Sequence, residues 1–144
     1  MTIRFLIVED YEGWRSYVSS VLQKNPKYEI IGEVLDGLEA VQMAERLQPD
    51  LVILDIGLPT LNGIEAARRI RKLAPAAKIL FLSEQRSAEI AEAALETGAQ
   101  GYVLKSDAAD ELTAGIEALI DGKRFISTSM AGYLAKKTKN ERVG

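Results

Sequence analysis

Short runs of apolar residues alternate along this chain with longer segments in which apolar residues recur every three or four positions. The runs have the length and composition of buried strands, whereas the spacing in the longer segments is that of amphipathic helices. Strands that alternate with helices form parallel sheets with helices on both faces. The pattern therefore predicts an α/β fold built on a doubly wound parallel sheet of five strands.

The predicted strands share a composition rich in valine, isoleucine, leucine and phenylalanine. They cover residues 3–8, 28–34, 51–54, 78–83 and 101–104. In the helix after the first strand, Trp14 and Tyr17 lie on one stripe and are expected to pack in the core. The helix near residues 87–97 is rich in alanine and should bury little apolar area. The last of the five predicted helices is expected to begin at an N-cap, Asp107 or Asp110.

The helix and strand pattern weakens beyond Gly122. A few apolar residues still occur up to Leu134, whereas residues 136–144 are polar and basic and offer no apolar surface to bury. We therefore expect one domain at residues 1–122. Residues 123–144 are expected to form a linker or tail that is partly helical or disordered.

The composition is that of an ordinary globular protein, and it excludes several classes of function. The chain has 144 residues, of which 47% are hydrophobic and 27% charged, which is enough for one core. Its net charge of -3 argues against direct nucleic-acid binding by this chain, since such binding needs clustered Lys and Arg. It contains neither cysteine nor histidine, which excludes disulfides, thiolate metal sites and histidine-based catalysis.

The sequence predicts neither secretion nor membrane insertion. The apolar stretch near the N-terminus is interrupted at Glu9, which is too early for a signal peptide, and no apolar run reaches the length of a membrane span. We therefore expect a cytoplasmic protein without a membrane partner.

Charged and hydroxyl side chains occur where four of the predicted strands end. Glu9 and Asp10 follow the first strand, Asp55 follows the third, Ser83 ends the fourth, and Lys105 follows the fifth. In open parallel sheets the ligand crevice lies beyond the carboxyl ends of the strands. The sequence therefore predicts that these five residues form one site.

The residue types at this edge favour phosphoryl chemistry with a divalent cation. Three carboxylates without histidine or cysteine provide hard oxygen ligands, which suit Mg²⁺ rather than zinc. The Lys105 ammonium and the Ser83 hydroxyl would face an anion beside the metal, with Asp55 as a carboxylate nucleophile. The expected product is an aspartyl phosphate.

Over about residues 3–122 the chain resembles the receiver domain of two-component response regulators. The shared motifs are Glu9-Asp10, Asp55 with Leu58-Pro59 and Gly63, Ser83, Gly98-Ala99, and Tyr102 before Lys105. The resemblance implies the flavodoxin-like (βα)5 fold with strand order 2-1-3-4-5. It also implies that Asp55 accepts phosphate from a sensor histidine kinase.

The resemblance further implies a Mg²⁺ site. Asp10 and Asp55 would bind the ion directly, Glu9 would act through water, and the backbone carbonyl of Gly57 would complete the site. Gly57 also leaves no side chain over the phosphate, and Glu84 places an acid beside Ser83 where a small residue is common in the family. These two departures from the family pattern bear on the rates of phosphorylation and dephosphorylation.

The same resemblance implies a conformational switch. Lys105 and Ser83 would contact the phosphoryl group, Ser83 would move toward it, and Tyr102 would turn inward. This population shift would remodel the surface around the fourth and fifth helices.

Asp36-Gly37 and residues 98–105 are similar to the corresponding segments of the NarL/LuxR-type subgroup, whose members usually carry a C-terminal helix-turn-helix. That domain is absent from this sequence, so we expect either part of a DNA-binding transcriptional regulator or a stand-alone receiver. Its output would be a further domain or a partner protein. A phosphorylation-dependent homodimer stays open as an alternative.

Two other function classes share parts of this pattern. A Mg²⁺-dependent phosphohydrolase with an aspartyl nucleophile would need a second acid two residues after Asp55, where Gly57 stands. A flavin-binding module of the same topology would have its phosphate repelled by Glu9 and Asp10. A signalling switch that assists its own phosphorylation and dephosphorylation, rather than a conventional enzyme, fits the residues best.

Overall fold

The computed structural model of the chain describes the backbone of residues 1–143 and the side chains of residues 1–138. Strands and helices alternate along this part of the chain. The strands are β1 (Ile3–Val8), β2 (Tyr28–Val34), β3 (Leu51–Leu54), β4 (Lys78–Ser83), β5 (Gly101–Leu104) and β6 (Phe125–Ile126). The helices are α1 (Glu12–Gln23), α2 (Gly37–Leu47), α3 (Gly63–Leu73), α4 (Ala88–Glu96), α5 (Ala108–Ile120) and α6 (Thr128–Val143).

The strands form one parallel sheet with the order β2-β1-β3-β4-β5-β6. The predicted α/β class and the order 2-1-3-4-5 are confirmed. Five strands were expected, however, and the short β6 extends the sheet by one strand beside β5. The strand order reverses between β1 and β3, so that a crevice opens there at the carboxyl ends of the strands.

Alternating strand residues pack into two hydrophobic layers, one on each face of the sheet. One layer lies against α2, α3 and α4, and includes Phe81 and Tyr102. The other lies against α1 and α5, and includes Phe5 and Val103. The buried residues of α4 are alanines only, which confirms the small apolar contribution predicted for that helix. Within residues 1–143, no helix combines the length and apolar character that a membrane span needs.

Side-chain caps define where several helices begin. Asp36 accepts a hydrogen bond of 2.7 Å from the Glu39 amide at the start of α2. Asn62 and Ser87 cap α3 and α4 in the same way. Asp107 occupies the N-cap position of α5, as expected, but its side chain makes no cap bond there. That carboxylate is bonded to the start of α6 instead.

The segment beyond Gly122 folds back onto the sheet. Phe125 and Ile126 pair with Gly101 and Tyr102 of β5, and α6 then packs against α4 and β5. The helical part of the predicted tail is therefore present. The division of the chain into a domain and a tail at Gly122 stays a prediction.

Candidate functional site

The carboxyl ends of the strands meet around one open cleft of about 460 Å³. Six of the seven candidate residues line it. They are Glu9, Asp10, Asp55, Gly57, Ser83 and Lys105. The seventh, Tyr102, is fully buried behind the cleft, in the hydrophobic layer that lies against α4.

The three acids lie close enough to share one cation. Each of Glu9, Asp10 and Asp55 offers a carboxylate oxygen, and these oxygens lie within 4.8 Å of one another. Glu9 and Asp55 are buried, whereas Asp10 is exposed to solvent. An all-oxygen donor set that is open on one side fits a hard divalent cation that keeps part of its water shell. The residues present therefore fit the predicted Mg²⁺ site.

Lys105 provides the positive charge that compensates the buried acids. Its Nζ lies 2.6 Å from Glu9 Oε1 and 3.7 Å from Asp55 Oδ2. The same Nζ lies 5.1 Å from the ring centroid of Trp14, within cation–π distance. Because the Lys105 side chain is only 7% exposed, its ammonium depends on these contacts in place of water.

Burial raises the pKa of both buried acids. For Asp55, burial has the largest effect on the pKa, Lys105 opposes it, and the charges of Asp10 and Glu84 raise the pKa further. For Glu9, burial again raises the pKa, against the hydrogen bonds from Lys105 and the backbone of Tyr11. The ionised carboxylates are therefore disfavoured in the folded protein, and a bound cation would relieve that unfavourable term.

Ser83 and Tyr102 are connected through the backbone of Gln85. Ser83 Oγ accepts a hydrogen bond of 3.0 Å from the Gln85 amide. The Tyr102 hydroxyl donates one of 2.8 Å to the Gln85 carbonyl. Both candidate switch residues thus hold the same residue of the loop between β4 and α4. Sequence reasoning missed Gln85 because its contribution comes from backbone groups.

Glycines determine the surroundings of Asp55. The N-terminus of α3 approaches so closely that a Cβ on Gly63 would lie 1.9 Å from the Asp55 carbonyl oxygen, which only glycine permits. The Gly63 amide donates to the Ile56 carbonyl at 2.8 Å. At Gly57, in contrast, no atom beyond its two chain neighbours lies within 4 Å of where a Cβ would be. Asp55 is therefore backed by a rigid helix start on one side and by open cleft on the other.

Trp14 is a site residue that the sequence analysis assigned to the core alone. Its ring packs edge-on against Tyr17, at 5.6 Å between centroids, and its other surface lines the cleft. The signal in the sequence was its place in the first turn of the helix that follows Glu9 and Asp10. The helical stripe alone does not distinguish a core residue from one that also covers Lys105.

Comparison with known proteins identifies the family. Residues 5–117 match the response regulator receiver domain. The chain belongs to that family. The receiver is 32% identical over 135 residues to the transcriptional regulatory protein DegU of Brevibacillus brevis, covering 94% of this chain and 57% of DegU. It is 28% identical over 137 residues to the nitrate/nitrite response regulator protein NarL of Escherichia coli strain K12, covering 95% of this chain and 63% of NarL.

A solved structure supports the same assignment for this receiver. A two-component response regulator of the LuxR family from Aurantimonas sp. SI85-9A1 is 35% identical, and each chain covers 100% of the other with a TM-score of 0.90. The predicted resemblance to NarL/LuxR-type regulators is confirmed. The receiver spans 57% of the length of DegU and 63% of that of NarL, so the activity of a whole regulator is a matter for proposal.

Proposed function

We propose that this receiver accepts a phosphoryl group on Asp55 from a sensor histidine kinase and thereby controls an output. The observation that carries the proposal is the convergence of three acids, Lys105 and Ser83 on one cleft in a chain of this family. An Asp55 oxygen would attack phosphorus as the bond from phosphorus to the kinase imidazole breaks, and the imidazole would leave with that electron pair. The chain would thus act as a switch rather than as an enzyme of metabolism.

Lys105 and Ser83 would stabilise the transferred group. The Lys105 ammonium, now shared between Glu9 and Asp55, would turn its charge to a phosphoryl oxygen, and the Ser83 hydroxyl would donate to another. Movement of Ser83 would release the Gln85 amide that it accepts from, and so alter the loop that Tyr102 also holds. This gives the proposed switch a physical path from the cleft to α4.

Mg²⁺ is the proposed cofactor. Glu9, Asp10, Asp55 and the backbone carbonyl of Gly57 would hold it. When bound, the ion would supply positive charge to offset the carboxylates and the phosphoryl oxygens. Glu9 is the most constrained of these groups, because its two oxygens already accept from Lys105 and from the Tyr11 amide. That geometry supports an indirect role for Glu9, through water.

Membership of the receiver family supports the remaining proposals. We propose residues 1–122 as the phosphoacceptor domain and residues 123–144 as the connection to an output domain or partner protein, in a cytoplasmic regulator of transcription. A phosphorylation-dependent homodimer is part of this proposal. Direct nucleic-acid binding by this chain is not, because its net charge is -3.

Intact-mass spectrometry with acetyl phosphate tests the proposal. Incubation of the receiver with this donor and Mg²⁺ should add one phosphoryl group, and peptide mapping should locate it on Asp55. Omission of Mg²⁺ should prevent the gain. Labelling at another residue, or no labelling with either acetyl phosphate or a cognate kinase, would refute the acceptor assignment.

Mg²⁺ should raise the melting temperature of the receiver in a pH-dependent way. At neutral pH the ion would stabilise ionised Glu9 and Asp55, and ligand that binds only the folded state raises stability. Because the pKa of each acid is raised in the folded protein, protons begin to compete with Mg²⁺ for the carboxylate oxygens at pH values above the ordinary carboxyl pKa of about 4. The shift should therefore shrink as the pH falls toward that range. Calorimetry at several pH values, with NaCl of equal ionic strength as the control, measures it; a shift that is constant with pH would contradict the site.

A further inference from the structure

The helix α6 covers α4 and the outer side of β5. Ser127, which precedes α6, is hydrogen-bonded to β5: the Ser127 amide donates to the Tyr102 carbonyl at 2.9 Å, and the Leu104 amide donates to Ser127 Oγ at 3.0 Å. Ser127 is fully buried. The segment that leads into α6 is therefore attached to Tyr102 and Leu104 of β5.

Carboxylates of the neighbouring elements complete this attachment. Glu111 accepts from the Thr128 amide at 3.0 Å and from its hydroxyl at 2.8 Å. Asp107 accepts from the Ser129 amide at 3.0 Å and from its hydroxyl at 2.8 Å. Negative charge at a helix N-terminus is favourable, so these two acids both cap α6 and fix it against α5.

The body of α6 contacts the receiver through apolar and charged groups. Met130 is fully buried in the same hydrophobic layer as Tyr102, and Tyr133 and Leu134 pack partly against that layer. Further along, Lys137 Nζ lies 2.6 Å from Glu92 Oε2 and 3.9 Å from Glu89 Oε1. The helix α4 thus receives a basic partner for its acidic side.

Tyr102 connects this contact with the cleft. Its carbonyl holds Ser127, its ring is fully buried, and its hydroxyl holds the carbonyl of Gln85. The Gln85 amide in turn donates to Ser83 in the cleft. A continuous series of contacts therefore runs from α6 to a residue that faces the proposed phosphoryl group. Outward movement of the Tyr102 ring would disturb the packing of the hydrophobic layer that it shares with Met130.

We propose that docking of α6 and burial of Tyr102 are energetically coupled, so that α6 controls access to the surface formed by α4 and β5. A partner protein that binds this surface must displace α6, and displacement of α6 releases Tyr102. By reciprocity, whatever holds Tyr102 inward strengthens the docking of α6. The expected direction under phosphorylation rests on the proposed function: a phosphoryl group on Asp55 would tighten α6 rather than release it.

Charge reversal at Lys137 loosens α6 without changing the cleft. Lys137→Glu places a third acid beside Glu92 and Glu89, whereas the swap Lys137→Glu with Glu92→Lys restores opposite charges. Lys136→Glu makes the same change at an exposed neighbouring position and is the matched control. Met130→Asp loosens the helix independently, because it introduces a charge into the apolar layer.

Two measurements on the full chain report the two sides of the coupling. Hydrogen exchange of α6 amides, followed by mass spectrometry, should be about fivefold faster in Lys137→Glu and normal in the swap and in Lys136→Glu. Nitration of Tyr102 by tetranitromethane should also increase in Lys137→Glu and return to normal in the swap. Nitration of Tyr28, on the opposite edge strand β2, should be the same in all variants. Faster α6 exchange without increased Tyr102 nitration would overturn the coupling. Failure of both Lys137→Glu and Met130→Asp to loosen α6 would overturn the role of these contacts.

A third measurement separates this inference from the proposed function. Mg²⁺ with beryllofluoride, an analogue of the phosphoryl group, should bind the receiver in calorimetry and slow the exchange of α6 amides. Binding without slower α6 exchange would overturn the link between α6 and the cleft while leaving the acceptor assignment intact. Absence of binding would count against the proposed function, and the variants would still decide the coupling between α6 and Tyr102.

Discussion

Asp55→Asn is expected to abolish phosphoryl transfer to the receiver and to leave its fold intact. The amide cannot attack phosphorus as a carboxylate does. Of the other two acids in the proposed metal site, Glu9 already accepts hydrogen bonds at both of its oxygens and Asp10 is exposed to solvent. The mass expected to be added with acetyl phosphate and Mg²⁺ should fall from one phosphoryl group in the parent protein to none in the variant. Intact-mass spectrometry on matched samples measures this loss.

The stability of Asp55→Asn should remain close to that of the parent protein. The substitution removes a buried charge whose pKa is raised by burial and by Asp10 and Glu84, and this gain offsets the loss of its contact with Lys105 at 3.7 Å. Asp121→Asn, at an exposed position after α5, is the control and should be labelled like the parent. Persistent labelling of Asp55→Asn would mean that another residue is the acceptor.

Lys105→Met is expected to lower the free energy of unfolding by about 3 kcal/mol at neutral pH, because removal of one partner leaves buried opposite charges uncompensated. The contact with Glu9 Oε1 at 2.6 Å is the main one lost. Urea unfolding of the variant and of Lys123→Met, an exposed control, measures the difference. Lys105→Met should also uncouple phosphorylation from the conformational change, so that a bound phosphoryl analogue no longer slows exchange in α6.

The loss of stability in Lys105→Met should depend on pH with a defined sign. Without the ammonium, the pKa values of Glu9 and Asp55, already raised by burial, rise further. The folded state then binds protons more tightly than the unfolded state, so stability increases as the pH falls from neutral toward the ordinary carboxyl range. The deficit relative to the parent should accordingly be largest at neutral pH. A deficit that is equal at all pH values would indicate lost packing rather than uncompensated charge.

The first five strands could be predicted because each one is a short segment rich in apolar residues, and four of them are followed by or end in a charged or hydroxyl residue. The strand β6 could not, because Phe125–Ile126 is too short to show a period of two, and it forms only by pairing with β5. Docking of α6 depends on Met130 and on polar contacts with Asp107 and Glu111. Asp107 and Glu111 are distant in sequence from the start of α6, and the local pattern of apolar and polar residues contains no information about such contacts.

The site was predictable to the extent that strand ends determine it. Glu9, Asp55 and Lys105 directly follow strands, and a parallel sheet brings such positions together without further information. Trp14 and Gln85 could not be assigned in this way. The contact of Trp14 with Lys105 depends on how α1 packs, and that of Gln85 depends on the path of a loop backbone.

The contrast between Gly57 and Gly63 has a consequence for how such a receiver can evolve. A Cβ at position 57 would enter open cleft, with no atom beyond its chain neighbours within 4 Å, whereas one at position 63 would collide with the backbone of Asp55. If Asp55 is the acceptor, single substitutions at position 57 would change how easily water reaches the phosphorylated residue while the core stays as it is. The duration of the proposed signal would in this way diverge between descendants of the chain, while position 63 and the fold around it remain the same.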